Sequence, residues 1–182
     1  MPTNTITSVM QMLDTMSVEE LKNRLATYML EDKNICPRPI AVEVRMKDMI
    51  SRQGRYAVLL ILEDGSEVEV KFRDRHSRLI YIYTLLHPKG FQRRSLAVNN
   101  YQPLRELFSN IYFESDEPLL KAIGNDFDHY ISQAVTQSRW AIKQAAAHAE
   151  AFEIAPPQQH GGKTLVSFAA QGGDVIIDNS LQ

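Results

Sequence analysis

The chain has 182 residues, of which 44% are hydrophobic and 23% charged, and its net charge is −2. This composition suits one globular domain, or one with a small appended unit, and argues against global disorder. The overall charge offers no general attraction for nucleic acid or an anionic membrane, so either function would need a local basic patch.

The N-terminal residues lack a basic segment followed by a clean apolar run, so they do not read as a signal peptide. Residues 6–13 suggest a short helical turn. Ser17-Val18-Glu19-Glu20 has the spacing of a capping box, with Ser17 at the cap and Glu20 three residues on. Leu21, Leu25 and Met29 then repeat every four residues, which predicts an amphipathic helix over 17–31. Pro37 and Pro39 end this unit, giving a helical segment over 1–36 and a main domain over 37–182. Cys36 is the single cysteine, so no internal disulfide forms. With Pro37 beside it and no histidine nearby, it reads as a small residue at a loop or strand start.

Strand signals follow. Residues 41–46 alternate in part, and 55–62 are continuously apolar and rich in strand formers. Asp64-Gly65 is a hairpin turn signal, and 66–72 alternate cleanly, with Val68, Val70 and Phe72 on one face and charge on the other. The period then changes. Leu79, Ile82, Tyr83 and Leu86 form a helical stripe that must stop near His87, because Pro88 disfavours helical geometry before it. Residues 91–98 suggest a short second helix. Leu104, Leu107, Phe108, Ile111 and Tyr112 define an amphipathic helix over 101–113. Asp116-Glu117-Pro118 starts another, which Gly124 ends. Asn125 is placed to cap the longest helix, over about 126–149, with Phe127, Ile131, Ala134, Ser138, Ile142 and Ala145 on its buried line. Two strands, 164–168 and 174–178, around the Gln171-Gly172-Gly173 turn, predict a C-terminal β-hairpin. No apolar run approaches the roughly 20 residues of a membrane span. The expected location is the cytoplasm, with no membrane partner.

The fold class is therefore α+β: an N-terminal helix and small antiparallel sheet, then a helical core with a C-terminal β-hairpin. From residue 66 to 178 the order is strand, helix, His87-Pro88-Lys89-Gly90 turn, helix, intervening helices, long helix and hairpin. This order resembles the winged-helix DNA-binding effector domains of two-component response regulators. The resemblance implies that 75–87 is the first helix, that 91–98, with or without 102–113, is the second, and that 126–149 is the recognition helix. The wing would lie within 164–178. The connection 99–124 is longer than the family's usual one.

Charge is segregated along the chain. Residues 71–94 carry seven cations against Asp74 alone, a local net of +6, which leaves −8 for the rest. A segregated basic stretch is what phosphate binding needs, and it is also what a solvated face looks like. In the DNA-binding reading, Arg75, Arg78, Lys89, Arg93 and Arg94 meet phosphates. Gln137, Arg139 and Lys143 of the long helix, which has no acid from His129 to Ala149, reach the major groove. Lys163 touches an adjacent backbone. Double-stranded DNA is then the partner, and the function is transcription regulation.

The alternative is a protein–protein adaptor on the same scaffold. Leu21, Leu25, Met29 or Trp140 would then face a protein partner or a second copy, although a lone tryptophan is more often core. The five histidines show no metal-ligand spacing, and there is no Gly-x-Ser-x-Gly, Walker or His-Glu-x-x-His motif. Asp126 and Asp128 are explained by helix-start electrostatics. No catalytic residue, metal or cofactor is expected.

Overall fold

The computed structural model describes Ser17, Glu20, Lys22 and residues 36–51, 54–156, 158–160, 163–168 and 173–181, with the backbone alone at 48–51, 158–160, 163 and 164. The chain divides into two units, Met1–Cys36 and Pro37–Gln182. In the first, Glu20 N–H donates to Ser17 Oγ at 3.2 Å, and Ser17 N–H donates to the Glu20 carboxylate at 3.3 Å. This is the reciprocal pair of a capping box. Residues 6–13, Leu21, Leu25 and Met29 lie outside the described residues. Cys36 is exposed as a free thiol.

The second unit is α+β. Strands β1 (Pro39–Ser51), β2 (Gly54–Leu62) and β3 (Glu67–Glu69) form an antiparallel meander, so the 41–46 segment is part of a long central strand. Gly65, with φ of +80°, makes the predicted β2–β3 turn, closed by Leu62 N–H donating to Ser66 O at 2.9 Å. The sheet buries Val42, Val44, Val58 and Leu60 on its inner side. Glu67 and Glu69 of β3 pair with Arg45 at 2.8 Å and Lys47 at 2.5 Å, giving β3 the charged face that its alternation predicts.

Helix α1 (Arg75–Leu86) follows, capped by Asp74, whose carboxylate accepts from His76 and Ser77 N–H. Every residue from Ser77 to Leu85 is buried, so the helix is enclosed on all sides and its apolar surface is wider than the expected stripe. It packs against α5 (Phe127–Ala145), α3 (Gln102–Tyr112) and strand β7 (Asp174–Ile177). Ser138 Oγ of α5 lies 2.7 Å from both Ser77 O and Ala134 O, sharing its one proton between the two helices. The helix stops at His87, as Pro88 requires.

Several boundaries differ from the sequence reading. Phe91 and Gln92 form a short strand, β4, and only Arg93–Val98 is helical (α2). Phe91 is buried against Tyr83, at a ring-centroid distance of 4.9 Å, and pairs with Val166, so tertiary pairing outweighs the local helical signal. Helix α4 is Glu117–Ile123 and ends at Gly124 as expected. Asp126, rather than Asn125, caps α5, its carboxylate accepting from His129 N–H at 2.9 Å. Helix α5 stops at Ala145, although Ala146 and Ala147 favour helix. The chain turns there, through His148 at φ of +56°, and buries Ala149 and Phe152.

The C-terminal hairpin is also relocated. Strand β5 (Gln158–His160) pairs with β6 (Lys163–Val166), and β6 pairs with β4, giving a second antiparallel sheet in the order β4-β6-β5. Strand β7 does not fold back on β6. It joins the first sheet parallel to β1, in the order β3-β2-β1-β7, so that sheet is mixed. Val175 and Ile177 thereby align with Val42 and Val44, and Asp178 N–H donates to Val44 O at 2.9 Å.

Gly90 holds the junction between α1 and β4. Its φ is +77°, and a Cβ there would lie 2.7 Å from Val166 O and 3.0 Å from Ser167 Cβ. Gly90→Ala should therefore destabilise the protein by at least about 1 kcal/mol, through backbone strain and a clash with β6. Urea denaturation midpoints would show it; an unchanged midpoint would mean that β6 does not pack this closely.

Candidate nucleic-acid interface

The cations of 71–94 do not form one patch. Helix α1 separates them, and its 12 residues span about 18 Å. Arg73, Arg75 and Arg78 belong to its N-terminal end, and Lys89, Arg93 and Arg94 follow its C-terminal end.

At the first end, Arg75 pairs with Glu114 at 2.7 Å, and its guanidinium sits 5.4 Å from the Tyr112 ring centroid. Tyr112 donates to Arg75 O at 2.8 Å. Arg78 is only 2% exposed, lying over Phe72 with Glu69 at 3.9 Å, and burial lowers its pKa. An interior guanidinium does not reach a duplex, so Arg78 leaves the set of surface phosphate contacts. Nothing in its sequence neighbourhood marked it as interior, because buried arginines are rare.

At the second end, Lys89 and Arg94 are exposed and Arg93 is not. Arg93 reaches from α2 to the start of α5, with Nη1 3.2 Å from Asp128 Oδ1 and Nη2 3.3 Å from Ser132 Oγ. Its Nε is buried without a hydrogen-bond partner among the described residues. Arg93 is thus a clamp that sets α2 against α5, and the adjacent Arg94 points to solvent.

On α5, the predicted line Phe127, Ile131, Ala134, Ser138 and Ile142 is buried, and Ala145 is half-buried. The outer face carries His129, Gln133, Thr136, Trp140 and Lys143. Trp140 is 52% exposed and so is not core. Glu153, buried just after α5, gathers Arg139 at 3.1 Å and Lys143 at 3.8 Å. That carboxylate, absent from the sequence reading because it lies outside the helix, fixes where both cations sit. Lys163 opens β6 opposite His160, and its side chain lies outside the described residues. Lys89, Arg94 and Lys163 are linked through the pairing of β4 with β6.

Gln137 is half-buried and faces a different feature: a cleft of about 500 Å³ between α1 and α5, lined also by Arg73, His76, Tyr130 and Gln133. His76 lies 5.6 Å edge-on from Tyr130 and 6.3 Å from Phe108, with Tyr130 Oη 3.3 Å from its Nδ1. Burial lowers the His76 pKa below 6.5; Asp74 opposes the shift and Arg75 adds to it. Burial also raises the Tyr112 and Tyr130 pKa values, so both phenols stay protonated. Among the described residues, no three His, Cys, Asp or Glu side chains converge to hold a metal, and no helix is long and apolar enough to cross a membrane.

No protein-family model matches the chain, and neither a curated protein nor a solved structure does.

Arg93→Ala should cost about 1 kcal/mol, the worth of a charged hydrogen bond to partly exposed partners, whereas Arg94→Ala should stay within about 0.5 kcal/mol of wild type. Equal effects in chemical denaturation would refute the clamp. For His76, the folded state holds the proton less tightly than the unfolded chain. Below about pH 6.5 the unfolded state binds more protons, so stability falls as pH falls. Between pH 7.5 and 5.5, His76→Gln should therefore lose less stability than wild type.

Proposed function

We propose that this is a non-enzymatic, cytoplasmic DNA-binding protein of winged-helix type that regulates transcription. The observation that carries the reading is the strand order β4-β6-β5 together with its helices. Helix α1 enters β4, α2 leaves it, and α5 precedes the β5–β6 hairpin. This follows the helix, helix, recognition helix and wing order that the resemblance implies, with the wing moved to the paired strands β5 and β6. In this reading α5 lies in the major groove. Arg139 and Lys143, held by Glu153, meet the duplex together with the outward Thr136. Lys89, Arg94 and Lys163 contact phosphates on either side. Arg75 lies at the end of α1 away from Lys89 and Arg94, and Gln137 lines the cleft, so neither belongs to this surface.

Fluorescence anisotropy with a labelled duplex tests the reading. Binding should weaken steeply between 50 and 200 mM salt, about 0.9 log units per log unit of salt for each phosphate contact. Arg94→Ala combined with Lys143→Ala should lower that slope by about 1 to 2. Absence of binding at 50 mM salt would reject the proposal.

A second reading, an adaptor or homodimer, is favoured by one observation: the half-exposed Trp140 in the middle of the outer face of α5. Self-association by light scattering that disappears in Trp140→Ala, without DNA binding, would support it.

A further inference from the structure

The cleft between α1 and α5 adjoins a second cleft of about 630 Å³, and the two share Arg73, Asp74 and His76 as walls. Their linings come from separate stretches of chain: the β3–α1 loop and α1, with Tyr112 of α3, α4, and Gln133 and Gln137 of α5. The two parts differ in chemistry. The second is lined by Arg73 and Arg75, with Arg78 enclosed in its wall, and its one lining carboxylate is Asp74. That carboxylate is already engaged, accepting from His76 and Ser77 N–H at 2.9 and 2.8 Å. Glu114 neutralises Arg75, and Glu69 lies near Arg78 while also holding Lys47 at 2.5 Å. Arg73 is exposed and makes no ion pair among the described residues. Beyond the shared Arg73 and Asp74, the first part carries no charged side chain. It offers the Tyr130 hydroxyl, the His76 imidazole, whose pKa burial lowers, and two amides one helical turn apart.

We propose that these adjoining clefts bind a small phosphorylated molecule, with the phosphoryl group against Arg73 and Arg75 and a neutral polar portion against His76, Tyr130, Gln133 and Gln137. Planar guanidiniums match phosphate oxygens two at a time, which favours phosphate over a simple halide. The site lies at the end of α1 away from Lys89 and Arg94, so it is distinct from the proposed DNA surface and does not depend on it. Gln133 and Gln137 belong to α5, so occupancy acts directly on the helix that carries Trp140.

The test uses the full chain with inorganic pyrophosphate and adenosine monophosphate as probes. Thermal melting and the fluorescence of Trp140, the single tryptophan, are the readouts. A saturable rise in melting temperature is expected. Arg73→Ala should weaken the apparent affinity roughly tenfold or more, because it removes a charged hydrogen bond from an exposed side chain. Arg94→Ala should leave it unchanged. Tighter binding of the nucleotide than of pyrophosphate, lost in Gln137→Ala, would show that the neutral part of the cleft is used. The proposal is overturned if neither probe gives a saturable shift, or if Arg73→Ala responds as wild type does. Anisotropy with duplex DNA on the same variants keeps this outcome separate from the DNA-binding reading, since Arg73→Ala should leave duplex affinity nearly intact.

Discussion

The structure depends on the complete burial of α1. A helix with nine consecutive buried residues, Ser77 to Leu85, needs cover on every side. That single requirement calls in elements from both halves of the unit. Helix α5 lies along one flank, α3 along another, and β7 returns from the far end of the sequence. Complete burial also demands that polar groups inside be satisfied. Thr84 returns its hydroxyl proton to Ile80 O at 2.7 Å, and Tyr81 donates to Phe152 O at 2.9 Å. The Ser138 hydroxyl, shared between Ser77 O and Ala134 O, fixes the sliding register of α5 against α1. The Tyr81 bond and the burial of Phe152 also explain why the chain leaves the helix at Ala145, in a stretch whose local propensity would prolong it.

A buried central helix also governs the electrostatics. Charged residues have no place along its middle, so the basic stretch is divided between its two ends. The exception is Arg78, whose aliphatic stem and guanidinium pack over Phe72 within the wall of the cleft. Net charge over a window of sequence therefore overstated the patch. Seven cations in 24 residues become one group near Arg73, another near Lys89 and Arg94, and a clamp at Arg93. Adjacent residues such as Arg93 and Arg94 take opposite roles because successive helical side chains diverge by about 100°.

Local signals were legible in the sequence. The capping box at Ser17, the stop at His87, the turn at Gly65 and the buried line of α5 each rest on residues within a few positions of one another, and the structure places them as read. What was not legible is pairing at a distance. The 174–178 segment has strand character from its own residues, but whether it pairs with β6 or with β1 depends on which edge is open. The short β4 was invisible for the same reason: Phe91 and Gln92 are strand only because Val166 and Leu165 lie opposite. Exposure of Trp140 likewise depends on which face of α5 turns inward, and the line of five residues from Phe127 to Ile142 would have indicated it. The cleft was missed because Arg73, His76, Tyr112 and Tyr130 come together only after folding.

Helix α5 joins the two candidate surfaces. Gln137 and Trp140 are three residues apart, so their side chains emerge about 60° from each other on the same helix, one toward the cleft and one toward solvent. The helix cannot rotate freely between them. Ser138, the residue after Gln137, is bonded to α1, and Arg93 ties the helix start to α2. A ligand pressing on Gln133 and Gln137 would therefore displace α5 mainly as a rigid rod against α1 and α2. A shift of that kind moves Trp140, Thr136 and Lys143 together. Coupling between a small molecule in the cleft and a partner on the outer face thus requires no long chain of intermediates, since one 19-residue helix contributes side chains to both.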